Sequence, residues 1–159
     1  MIRSHSLLIA LLLVGSCQKG AESETKAIHR PHALPAPRIT ELSGRYQAAR
    51  SASRLCIVDS RFALVIGNSA GATCSGSGRV AREADGIRFA MQGDSVCSFL
   101  ARTAGRSLVF PASVPASCGY YCSAGAALAG VRFTQVGVGR LQAMKAKDLV
   151  GGTLCGDDD

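Results

Sequence analysis

Leu55-Cys56-Ile57-Val58-Asp59-Ser60-Arg61-Phe62-Ala63-Leu64-Val65-Ile66 sets two apolar runs on either side of two polar residues. The second run places Phe62, Leu64 and Ile66 against Ala63 and Val65, the period of two that sends alternate side chains to opposite faces of a strand. Branched aliphatic and aromatic residues fit a pleated, half-buried surface, and a two-residue link containing Asp suits a tight hairpin. The stretch predicts paired antiparallel strands at 55–58 and 61–66, joined by Asp59-Ser60.

The same texture extends in both directions. From residue 41 onward, short apolar runs alternate with Gly, Asp and Ser at intervals of about eight to twelve residues, the spacing of an all-β domain. Residues 44–48 open the series, with Tyr46 as a core residue of the first strand. A polar loop at 67–73 leads into 74–82, which is rich in glycine and polar on alternate positions and reads as an edge or bulged strand. Asp85-Gly86 turns into 87–91, where Ile87, Phe89 and Met91 share one face and Arg88 takes the other. Gly93-Asp94 precedes a strand at 96–102, Gly105 precedes one at 107–110, and 111–117 is an irregular connection containing Pro111 and Pro115. Residues 131–136 form the last strand. Residues 140–150 then change period, with Leu141, Met144 and Leu149 near helical spacing and Gly151-Gly152 as a stop, predicting a short helix packed on the sheet. The expected fold is mainly β: a small antiparallel barrel or sandwich of about seven or eight strands with one short C-terminal helix, stapled by disulfides.

Cysteine usage supports the stapling. Seven cysteines are present, an odd number, and six fall in the β region: Cys56, Cys74, Cys97, Cys118, Cys122 and Cys155. In an exported chain these predict three disulfides, with about 15 connectivities open to six cysteines. Cys118 and Cys122 share a short loop, which should confine them to one region and keep them from reaching distant partners independently. A zinc site needs close cysteine pairs or added histidines, and a thioredoxin-like site needs two residues between its cysteines. Cys118-Gly119-Tyr120-Tyr121-Cys122 has three, and no histidine lies between residues 41 and 159. Neither a metal site nor a cofactor is expected.

Cys17 stands apart. Arg3 precedes the apolar run of residues 7–14, which is far short of the roughly 20 residues needed to span a hydrocarbon core and reads as the h-region of a cleaved signal. Val14-Gly15-Ser16-Cys17 resembles the lipobox of bacterial lipoproteins. The resemblance implies removal of residues 1–16 and acylation of Cys17, which would also account for the odd cysteine. Gln18 follows in place of the Asp associated with inner-membrane retention, so the implied location is the cell envelope, anchored to the outer membrane and facing the periplasm. Several acyl chains, at about 0.8 kcal/mol per buried CH₂, would hold the protein to the membrane without spanning it.

Residues 17–39 then read as an acylated, flexible tether. Residues 19–26 lack a large apolar side chain, and Pro31, Pro35 and Pro37 favour extended backbone. His29 and His32 lie in this tether, too loosely held to make a metal site. The β domain occupies 40–156, and the acidic residues 157–159 repel one another and form an expected disordered tail.

The domain offers little for catalysis. Without a histidine there is no Ser-His-Asp arrangement, Lys145 and Lys147 stand in no Ser-x-x-Lys pattern, and Asp59 and Asp94 fit turns better than a paired-carboxylate site. Cys74-Ser75-Gly76-Ser77-Gly78 lacks the lysine and following helix of a phosphate-cradling loop, so its glycines point to a bulge or a close strand approach. The net charge of +7 suits an anionic envelope component or an envelope protein as partner, and export excludes nucleic acid. The suggestive patch is Tyr120-Tyr121 between two cysteines. Rigid aromatics make good anchors, and the expected binding surface is Tyr120 or Tyr121 with a nearby arginine such as Arg132. Core packing of one ring and surface capping by the other is the structural alternative.

Residues 41–156 are similar to small cysteine-rich proteobacterial lipoproteins of unassigned function, through Leu55-Cys56-Ile57-Val58, Cys74-Ser75-Gly76-Ser77-Gly78 and Tyr120-Tyr121-Cys122. This resemblance implies an envelope lipoprotein and no particular activity. Size, anchoring and Ser43-Gly44-Arg45-Tyr46 also resemble periplasmic barrels that inhibit proteases or lysozyme, although the tryptophan expected near the first strand of the protease inhibitors is missing. The expectation is a non-catalytic binding or envelope-maintenance module, with inhibition of a protease or lysozyme as the alternative.

Overall fold

The computed structural model describes residues 41–156. The signal, Cys17, the tether with His29 and His32, and the acidic tail lie outside the described residues. Eight strands run β1 (Gly44–Ala48), β2 (Arg54–Val58), β3 (Arg61–Gly67), β4 (Thr73–Glu83), β5 (Gly86–Met91), β6 (Ser98–Ala104), β7 (Ser107–Val109) and β8 (Arg132–Val138). Each pairs antiparallel with the next, and β8 returns to β1, closing a barrel. The hairpin at Asp59-Ser60 forms as expected, in the register Ile57↔Phe62 and Val58↔Arg61, with Asp59 at φ 54°.

Up-and-down order gives the barrel two distinct ends. Residues 41–43 enter at one, beside the short turns 59–60, 84–85 and 105–106. The other carries the connections 49–53, 68–72, 92–97 and 110–131. At the entry end the buried Tyr46 hydroxyl donates to Leu42 O at 2.7 Å and accepts from Gln135 Nε2 at 3.2 Å. Gln135 Nε2 also donates to Glu41 O at 2.9 Å, so two inward polar side chains fix where the chain enters.

Period-two alternation fills the lumen. Leu55, Ile57, Phe62, Leu64, Ile87, Phe89 and Phe133 all point into one buried cluster. All five phenylalanines of the chain join it, with ring centroids between 4.8 and 5.7 Å apart from Phe62 through Phe89, Phe99 and Phe110 to Phe133. Such ring pairs add about 0.5–1.5 kcal/mol each beyond area burial, and they make the lumen a packed core with its space already taken.

Three expectations need correction: the nature of β4, the length of the C-terminal helix, and the confinement of Cys118 and Cys122, which pair with separate partners. β4 is neither an edge nor bulged: it is the longest strand and pairs on both sides, because closure removes every edge. The register shift falls instead between Arg45 and Tyr46, where β1 meets β8. The glycines of β4 do serve a close approach, since a Cβ at Gly78 would collide with Ala90 O and one at Gly76 with Met91 Cε.

The C-terminal helix is also shorter than its periodicity predicts. Within 140–150 only α1 (Arg140–Ala143) is helical. Beyond it the chain doubles back as a strap, with Lys147 bridged to Thr153 and Asp148 Oδ1 accepting from Val150 N at 2.9 Å and Gly152 N at 2.7 Å. An aspartate that satisfies backbone N–H groups in a turn competes directly with helix continuation. The strap packs Ala143 and Ala146 on the outer side of Cys56 and Ala63, which buries β3 on both faces.

Three disulfides complete the domain: Cys56–Cys155, Cys74–Cys122 and Cys97–Cys118. Cys118 and Cys122 do reach separate partners, 21 and 48 residues away, and both of those partners stand at the barrel end opposite the entry.

Candidate binding surface at the far end

The 3₁₀ turn Ala116–Tyr121 lies in the long β7–β8 connection. Pro115 starts it, with Cys118 N donating to Pro115 O at 3.0 Å, and Cys122 N closes it on Gly119 O at 3.1 Å. Cys118 ties the turn to the β5–β6 connection through Cys97, and Cys122 ties it to the start of β4 through Cys74. Backbone bonds continue the second tie: Ser123 N donates to Thr73 O at 2.8 Å, and Thr73 N donates to Ser123 Oγ at 2.9 Å. A turn crosslinked on both sides loses little freedom when it meets a partner.

The two tyrosines divide their roles. Tyr121 is half-buried, packs against the core and donates its hydroxyl to Gln92 O at 2.9 Å. Its ring lies so close to β4 that a Cβ at Gly76 would stand 3.0 Å from Tyr121 Cδ1. Desolvation, with the Asp94 carboxylate adding to it, pushes the Tyr121 phenol above its usual value. Tyr120 is 95% exposed. Both rings line a surface depression of about 310 Å³ together with Gln92, Gly93 and Asp94.

Val96, 67% exposed, stands next to Cys97 and adds a second apolar tip to this end. Asp94 shapes its own loop, accepting at Oδ1 from Val96 N at 2.8 Å and Cys97 N at 3.3 Å. Arg132, the expected companion of the tyrosines, opens β8 on its outer face, opposite Val109. No hydrogen bond, ion pair or ring contact joins it to either tyrosine among the described residues. Asp94 and Val96 are what sequence reasoning missed, because Gly93-Asp94 announces a turn and says nothing of what the turn faces. A usable signal existed: Asp94 is the sole acidic residue in the four far-end connections. Comparison with protein-family models, with curated proteins and with solved structures finds no match.

Proposed function

We propose that this chain is a membrane-anchored envelope lipoprotein, non-catalytic, that binds an envelope protein through the tyrosine turn. The observation that carries the reading is Tyr120, an almost fully exposed aromatic on a turn held by two disulfides. A large exposed ring on a turn braced by two crosslinks is pre-ordered for contact and loses little freedom on association. The entry point supports the arrangement. Residues 41–43 join the barrel at the end opposite the tyrosine turn, so the chain does not enter the domain through that surface. The lack of histidine between residues 41 and 159 supports the non-catalytic part.

Affinity recovery from envelope extract tests the reading. The native chain should retain a partner that Tyr120→Ala loses by at least about 30-fold, the size of an interface hot spot near 2 kcal/mol. Equal recovery by both defeats it. Mass spectrometry of the mature N-terminus should find lipid on Cys17, and an unmodified start elsewhere defeats the anchor. A second reading, inhibition of a periplasmic protease or lysozyme, is favoured by the same double brace, since a pre-ordered protruding loop can occupy a cleft without being reshaped. Recovery of one stoichiometric hydrolase, whose activity falls on adding the chain, would select it.

A further inference from the structure

The depression beside the tyrosine turn has a chemistry of its own, and the inference drawn from it rests on the turn being a binding surface. Two phenol rings and one carboxylate border it, and neither Arg nor Lys lines it. In a chain of net charge +7 this is a local reversal of sign. Asp94 spends Oδ1 on the backbone of its own loop, while Oδ2 makes no hydrogen bond to any described residue. Asp94 forms no ion pair there either, the described pairs being Arg88–Glu83 and Arg140–Asp59. Tyr121 is held in place by Gln92 O, and Tyr120 stands free on the braced turn. Aromatic faces attract cations through their quadrupole, and a carboxylate alongside adds a direct charge partner.

We propose that this depression receives a single cationic group, the ammonium or guanidinium of a Lys or Arg side chain on the protein partner. The ammonium would sit against the tyrosine rings and donate to Asp94 Oδ2, while Oδ1 continues to hold the loop.

The test uses n-butylammonium chloride as a lysine side-chain probe on the full chain carrying Cys17→Ser, with n-butanol as the neutral counterpart and sodium chloride at equal ionic strength as the control. Ring-proton resonances of Tyr120 and Tyr121 should shift saturably with n-butylammonium, and should not do so with either control. Asp94→Asn should raise the dissociation constant at least fivefold while leaving the fold intact, because the asparagine Oδ1 still accepts from Val96 N and Cys97 N. No saturable shift, an equal response to n-butanol, or an unchanged dissociation constant in Asp94→Asn overturns the inference. Partner recovery separates this failure from that of the proposed function: loss with Tyr120→Ala but retention with Asp94→Asn leaves the turn as the binding surface and removes the cation from it, whereas retention by Tyr120→Ala removes the turn itself.

Discussion

Gly76, Gly78 and Gly119 show how one carbon atom divides structural from permissive positions. A Cβ at Gly78 would strike Ala90 O, a backbone atom held in the β4–β5 ladder, and would also crowd the ring of Phe62. Gly78→Ala should therefore cost about 1–3 kcal/mol in urea denaturation, the range for overpacking. Apart from its own local backbone, Gly119 has nothing within 4 Å of its Cβ position, so Gly119→Ala should stay within about 0.5 kcal/mol of the native chain. Tyr46 carries the pH dependence. Burial holds its phenol well above the usual value, and the nearby Arg82 guanidinium and the Gln135 amide offset only part of this. In the unfolded chain the phenol ionises near pH 10, so the unfolded state loses a proton that the folded state keeps. The stabilisation is complete below pH 10 and declines as pH rises above it. Urea midpoints measured from pH 8 to 11 should fall at the alkaline end, and Tyr46→Phe should flatten that fall while lowering stability throughout through loss of the bond to Leu42 O.

At the scale of the element, the β3–β4 pair places Arg61 directly opposite Arg79 on the outer wall, both exposed and neither ion-paired among the described residues. Like charges in register across a ladder repel. Arg79→Thr should thus raise stability by a few tenths to about 1 kcal/mol, and the gain should shrink as salt is added; a loss at low salt would show that the pair is compensated. Elements whose pattern depends on nearest neighbours were legible in the sequence. The β2–β3 hairpin, the inward set Ile87, Phe89 and Met91, and buried Tyr46 all follow from a period of two beside turn residues. Elements whose state depends on distant partners were not. The 140–150 pattern looks helical because Leu141, Met144 and Leu149 repeat, yet Leu141 is exposed while Cys155 pins the chain end back on β2. The glycines of 74–78 suggested an edge because nothing in their own sequence reveals that β3 and β5 flank them. The tyrosine turn was visible as a composition anomaly, whereas Asp94 is brought beside it by the Cys97–Cys118 crosslink and the Tyr121–Gln92 hydrogen bond, neither of which the local sequence announces.

At the scale of the whole molecule, the disulfides divide into one that holds the wall and two that hold the candidate surface. Cys56–Cys155 closes 99 residues and fastens the strap outside β2, with neither cysteine in the tyrosine turn. Cys97–Cys118 closes 21 residues and sits at the turn itself. By loop entropy alone, removing the first should cost about 5 kcal/mol and the second about 3 kcal/mol, so stability should suffer more from Cys56→Ala with Cys155→Ala than from Cys97→Ala with Cys118→Ala. Partner binding should rank them the other way. Releasing Cys118 frees the turn on one side, so Tyr120 must be ordered on association and the affinity falls, whereas releasing Cys155 leaves Tyr120, Tyr121 and Asp94 in place. Urea denaturation and partner affinity measured on both double variants, at a temperature where each remains folded, should therefore give opposite orders. If affinity instead tracks stability, the turn owes its shape to the barrel beneath it and the crosslink at Cys118 adds nothing to recognition.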